Sequence, residues 1–153
     1  MTLTTADDVL CKKIEPHVSV TSKRVAVLKK CQALGIPTVV WLCPFLPFIN
    51  DTKENVTRLM DMCIDAGVKG IVFFGIGLTL REGNREYFYQ CLDKEFPGLK
   101  EKYMAVYGNR YEVVSPHHRE LAKIITDACQ EHEIICGVEE DFSYLREFPD
   151  KHQ

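Results

Sequence analysis

Two short, unbroken apolar runs constrain this chain more than any other feature. Residues 38–43 read Thr-Val-Val-Trp-Leu-Cys and residues 71–75 read Ile-Val-Phe-Phe-Gly. Neither alternates apolar with polar, so both suit strands covered on two faces, as in a parallel sheet. Between them Val56, Leu59, Met60, Cys63 and Ile64 recur at helical spacing and form a buried stripe. Pro44 and Pro47 end the first strand's hydrogen bonding. Asp51 and Glu54 stand in capping-box spacing at the helix start, and Gly67 suits a left-handed cap at its end. Strand, helix, strand in that order predicts a βαβ unit with a right-handed crossover.

Helices flank this unit. Thr21 or Ser22 caps a helical pattern of Val25, Leu28, Cys31 or Gln32, and Leu34, closed by Gly35 and Pro37. Residues 85–96 form another, and Pro97-Gly98 separates it from a shorter piece with Leu99, Tyr103 and Val106. Ser115 and Pro116 open a helix with Leu121, Ile124, Ile125 and Ala128 on one face, and residues 134–136 make a last short strand ended by Gly137. Two strands this apolar need neighbours on both sides. The opening Met-Thr-Leu-Thr-Thr reads as the end of a strand running into a short helix with Val9, Leu10, Lys13 and Ile14. The expectation is a chain that begins in mid-fold. It has one α/β domain over residues 1–137 and an acidic tail over residues 138–153 carrying Phe142, Tyr144, Leu145 and Phe148.

Composition narrows the function classes. Hydrophobic residues make up 46% and charged residues 27%, ordinary for a soluble globular chain. No apolar run approaches the roughly 20 residues that span a bilayer, and Met1 is followed by polar threonines. A soluble, cytoplasmic protein with no membrane partner is expected. The net charge of −3, with cations scattered among acids, offers no footprint for a phosphate backbone, so nucleic acid is not implied. The seven cysteines are odd in number and sit in apolar segments, which points to reduced core thiols.

A set of short motifs in fixed order carries a family resemblance. These are Thr4-Thr5, Ile14-Glu15-Pro16, Arg24 with Leu28, Gly35-Ile36-Pro37, then Pro44, Pro47 and Asn50-Asp51. Together they resemble the radical S-adenosylmethionine proteins of the spore photoproduct lyase-like branch. The likeness is clear over residues 2–75 and looser over residues 111–137. It implies the C-terminal part of a (βα)6 partial TIM barrel, with parallel strands, flanking helices, and this chain supplying the fourth, fifth and sixth strands. Thr4 and Thr5 then end the fourth strand at the ribose or methionine portion of the cofactor. Pro44 and Phe45 wall the adenine, Gly75 and Gly77 bring backbone groups to the base edge, and Arg81 lies on the same face.

The departure from that family is large. Its 4Fe-4S cluster is held by a C-x3-C-x2-C loop, and no cysteine pair here has either spacing. The resemblance therefore implies that S-adenosylmethionine and a 4Fe-4S cluster belong to the intact protein, neither being retained by this chain alone. It also implies an inactive isolated chain, with no catalytic residue of its own, whose partner is the missing N-terminal half of the barrel or a second chain, a homodimer being one form of the latter.

Simpler readings stand beside these. Thr4 and Thr5 precede Ala6-Asp7-Asp8 and equally make a helix cap. Gly75-Ile76-Gly77 lacks the third glycine of a dinucleotide fingerprint, so a tight strand exit suffices. Cys129, His132 and Cys136 lie at C-x2-H-x3-C, but packing explains them better than zinc. Arg81-Glu82 is either an anion contact or a solvated charge pair. Of Trp41, Phe45, Phe48, Phe73 and Phe74, the strand residues belong to a core, and only Phe45 and Phe48 lie where a ligand is within reach. The competing function is a self-contained α/β interaction or ligand-binding module that oligomerises through an exposed strand edge.

Overall fold

The computed structural model describes residues 1–145, and of the acidic tail residues 146–153, Phe148 included, lie outside them. The chain runs α1 (Asp8–Ile14), α2 (Thr21–Ala33), β1 (Val39–Trp41), α3 (Lys53–Asp65), β2 (Gly70–Val72) and β3 (Gly77–Thr79). It continues through α4 (Asn84–Glu95), α5 (Leu99–Tyr107), β4 (Glu112–Val114), α6 (His118–Glu131), β5 (Ile135–Cys136) and α7 (Val138–Leu145). Among the described residues no helix is long and apolar enough to cross a membrane.

The predicted βαβ unit is present. β1 pairs parallel with β2, Val40 opposite Ile71, and β2 pairs parallel with β5 on its other side. Residues 1–3 extend the sheet beyond β1. Thr2 bridges Trp41 in parallel, the Leu3 amide donates to the Trp41 carbonyl at 2.9 Å, and the Trp41 amide donates to Met1 O at 2.8 Å. Four strand segments thus lie side by side, and the named strands are shorter than the apolar runs that announced them.

One face of the sheet is dry. Leu3, Val40, Leu42 and Ile71 are buried against Leu28 of α2, Val56, Leu59 and Cys63 of α3, and Leu121 and Ile125 of α6. Each fully buried aliphatic side chain contributes about 1.5–3 kcal/mol. Gly35 (φ +69) and Gly67 (φ +60) end α2 and α3 in left-handed caps. The amides of Ile36 and Val68 reach back to Cys31 O and Cys63 O, and those of Gly35 and Gly67 to Gln32 O and Ile64 O, the paired bonds that close a helix end. Among the described residues the other face is only partly covered. α7 crosses it at Gly70, where Asp141 Oδ1 occupies the space a Cβ would take, while Trp41 and Phe74 stay exposed in an edge-to-face pair 5.4 Å apart.

Between β2 and α6 the chain builds a second unit that sequence patterning alone leaves unseen. β3 and β4 pair antiparallel, Gly77 opposite Val114, and α4 and α5 close over them around Leu80, Leu92, Tyr103, Tyr107 and Val113. A Cβ on Gly77 would stand 2.3 Å from Val113 O, so only glycine admits that pairing.

Two expectations at helix starts are corrected. α2 begins at Thr21 after Val20, without a side-chain cap; the Thr21 hydroxyl instead donates to Thr5 O at 2.6 Å. α3 is capped by Thr52, whose hydroxyl accepts the Asn55 amide at 3.1 Å, and not by Asp51.

Candidate functional site

Asn50 and Asp51 are buried because they pin the proline loop that follows β1. Asn50 Oδ1 accepts the Leu46 amide at 2.5 Å and its Nδ2 donates to Thr4 O at 2.7 Å. Asp51 accepts the Phe48 amide at 2.6 Å and the Ser115 hydroxyl at 2.5 Å. This loop is thereby locked to the strand end at Thr4 and to the start of α6. Tyr103 adds a tie from α5, its hydroxyl donating to Pro47 O at 2.7 Å.

The lock shapes a cleft of about 820 Å³ at the C-terminal ends of residues 1–3 and β1, a volume within the usual range for small-molecule sites. Thr2, Thr4 and Pro44 form its floor, and the turn after α1 with Glu15, Pro16 and His17 forms one wall. α4 presents the opposite wall from a single helical face: Asn84, Tyr87, Phe88, Cys91, Leu92 and Glu95. Phe96 and the Lys13 ammonium, 5.8 Å from its ring centroid, meet at the mouth.

The polar end of the cleft is one connected network. The Thr4 hydroxyl donates to Glu15 Oε2 at 2.6 Å. Arg24, itself buried, places Nη1 3.1 and 3.3 Å from the two Glu15 oxygens and also donates to Thr2 O at 2.9 Å and, through Nε, to Ser19 O at 2.6 Å. The arginine thus neutralises Glu15 and covers the outer edge of residues 1–3. Glu15 is held in place with its charge compensated.

Of the residues singled out from sequence, Thr4 and Pro44 line this cleft. Thr5 is buried beneath it, its hydroxyl accepting the Asp7 amide at 3.3 Å. Phe45 is fully buried in the sheet core. Gly75 (φ +101) packs beside His118, whose Nδ1 accepts the Ile76 amide at 3.1 Å, and Gly77 serves the β3–β4 pairing. Arg81 donates to the Tyr111 hydroxyl at 3.2 Å on the surface. The aromatics are distributed against expectation as well, because Trp41 on β1 and Phe74 just beyond β2 are exposed while Phe45, beyond the proline, is core.

Sequence reasoning passed over the α1 lysines and the α4 face. A signal for α4 was present, since Tyr87, Phe88, Cys91, Leu92 and Glu95 follow helical spacing. For the lysines there was none. The Tyr87 hydroxyl and Cys91 thiol interact one turn apart, which raises the phenol above its ordinary range.

Cys63 and Cys129 are core thiols and Cys136 packs against the same cluster, while Cys31 and Cys43 are half-buried outside it. Burial pushes Cys63 up to about 12. Cys129 is raised chiefly by its hydrogen bond with Cys136, and secondly by burial. His132 is exposed. Among the described residues no group of three or more histidine, cysteine or acidic side chains could hold a metal ion.

The fold and cleft define an α/β chain whose parallel strand ends open into a ligand-sized site. Three uncharacterized mycobacterial proteins, one from Mycobacterium bovis and two from strains of Mycobacterium tuberculosis, are similar to it at 28% identity over 123 residues. The aligned stretch covers 80% of this chain and 35% of each relative, so the chain spans about a third of the length of the curated relatives it matches. No protein-family model matches the chain.

Proposed function

We propose that this chain is the C-terminal part of the (βα)6 partial barrel of a radical S-adenosylmethionine enzyme, lyase-like in branch, contributing part of the cofactor pocket and inactive by itself. The observation that carries the reading is the side-by-side parallel order of residues 1–3, β1 and β2, with Thr4 and Pro44 at adjacent strand ends in one cleft. Ligands of open parallel sheets bind at such ends. The similarity to a third of longer proteins agrees with a chain whose remaining barrel strands lie elsewhere.

The residues present fit the cofactor's polar half. Thr4 keeps its acceptor lone pairs free while donating to Glu15, and Glu15 turns a fixed carboxylate toward the cleft where a sugar hydroxyl would donate. They do not fit the 4Fe-4S cluster, for which the described residues hold no thiolate set. In this reading the cluster belongs to the missing N-terminal half or to a second chain. Bound S-adenosylmethionine supplies the radical precursor; this chain's part is to bind and orient it.

The test is an equilibrium titration of S-adenosylmethionine onto the chain joined to the region preceding its counterpart in a full-length mycobacterial relative. One saturable site is expected, weakened about ten-fold by Thr4→Val, the scale of one good hydrogen bond. Absence of binding would sink the reading. In that case a self-contained α/β module is left, and a sedimenting species larger than a monomer would mark its strand edge as the contact.

A further inference from the structure

The charges around the cleft do not cancel. Glu15 is compensated by Arg24, and Glu95 is paired with Lys94 at 3.3 Å. Lys12 and Lys13, on the last turn of α1, also line the cleft, and none of the ion pairs among the described residues involves either of them. Asp8, one turn earlier on α1, already accepts from the Ser22 amide at 2.9 Å and from its hydroxyl at 2.5 Å. Lys12 also acts on the Asp8 carboxylate without a close ion pair, and the two cations line a space whose own acids are occupied.

The wall opposite those cations carries an apolar stretch beside Asn84, Tyr87 and the paired Glu95. Leu80, Phe88, Leu92 and Phe96 line it, with Leu46 and Ile49 from the proline loop. Lys13 stands over Phe96, so cation and apolar surface meet at one point of the mouth. A bare inorganic anion would leave that wall unused, and a neutral apolar molecule would leave the two exposed ammonium groups facing only water.

We propose that this end of the cleft binds a small anionic amphiphile, an aliphatic or aromatic body against α4 with a carboxylate or like anion on Lys12 and Lys13. This deepens the reading of the cleft as the cofactor's and rests on it in one respect only, that the amphiphile is then the substrate lying beside the Thr4 end. The binding itself requires no cofactor.

The experiment uses the 153-residue chain without S-adenosylmethionine and three probes in calorimetric titration: decanoate, decan-1-ol and inorganic phosphate. Decanoate is expected to bind at one site, about ten-fold or more tighter than decanol, the worth of a charge-assisted contact. Phosphate is expected to give no saturable heat. Lys12→Ala with Lys13→Ala is expected to bring decanoate down to the level of decanol and leave decanol unchanged. Both lysines are exposed, and an unaltered circular dichroism spectrum checks that the double variant folds. Decanol binding as tightly as decanoate, phosphate competing with it, or a double variant that binds decanoate undiminished would each overturn the proposal. A failed titration here leaves the cofactor titration standing, and failure of the cofactor titration leaves this one readable.

Discussion

The sheet unit and the unit built on β3 and β4 are held together by different chemistry. The first is largely aliphatic: Leu3, Leu28, Val40, Leu42, Val56, Leu59 and Ile71 fill it, with Phe45 as its one fully buried ring among the described residues. The second is aromatic, with Phe48, Phe88, Tyr103 and Tyr107 in ring contacts 5.3 to 6.1 Å between centroids. Its phenols reach out of the cluster to backbone carbonyls, Tyr103 to Pro47 O and Tyr107 to Val114 O at 2.8 Å. An aliphatic core depends on volume, whereas an aromatic cluster with hydroxyl handles also fixes orientation. The cleft lies where the two meet, with a floor from the first and a wall from the second.

The sharpest way to break the comparison is to empty the aliphatic side. Leu59 is fully buried on α3 beneath the sheet, and Leu59→Ala is expected to lose about 2–5 kcal/mol in chemical denaturation through the cavity it leaves. A loss below about 1 kcal/mol would mean that the sheet unit does not depend on filled volume. Next in size is the tie between the units. Asp51→Ala strips the Phe48 amide and the Ser115 hydroxyl of their acceptor in a buried place, and about 2–3 kcal/mol is expected to go with them. The variant is also expected to weaken ligand binding in the cleft, since the proline loop forms part of its lining. Retention of full stability would show that the lock is not shared.

What was readable beforehand divides along the same line. The helices of the sheet unit and the parallel run of β1 and β2 follow from aliphatic periodicity and from Gly35 and Gly67, because burial of one face is a local property of the sequence. β3 and β4 were not readable. Gly-Leu-Thr and Glu-Val-Val are three residues each and lie more than thirty residues apart, so their pairing depends on α4 and α5 bringing them together. Asn50-Asp51 drew attention for the right position and the wrong reason. Both belong to a loop held by tertiary hydrogen bonds, which resemble a helix cap in sequence. In the cleft, Thr4, Glu15 and Pro44 were visible from motif order, Glu15 without a role, while Lys12 and Lys13 acquire their placement only when α1 and α4 face each other.

A third test concerns the far face of the sheet. Asp141 is 3% exposed with neither carboxyl oxygen hydrogen-bonded, and it lies against Gly70. Burial, with Glu140 as a lesser cause, raises its carboxyl from 3.8 to about 6. The protonated form is thus favoured in the fold. Between those two values the folded chain binds more protons than the unfolded one, so stability is fully present below pH 3.8 and falls as pH rises toward about 6. Asp141→Asn is expected to flatten that segment of the stability curve and to stabilise the chain at neutral pH. A wild-type curve with no fall in that window would place the carboxyl in water.

The smallest effects separate two phenols of the aromatic unit. Tyr103 is fully buried with its hydroxyl on Pro47 O, and burial holds the phenol well above its ordinary range. Tyr103→Phe leaves that carbonyl without its buried donor and is expected to cost about 1–1.5 kcal/mol. Tyr89 packs against the same cluster, but its buried hydroxyl has no partner. Tyr89→Phe removes an unsatisfied group and keeps the ring, so it is expected to be neutral or to stabilise by up to about 1 kcal/mol. The two substitutions delete the same atom, and opposite signs in parallel denaturation curves would establish that the hydroxyl's partner, and not the ring, decides the outcome. Equal losses at both sites would instead make this unit a core held by volume, as the sheet unit is.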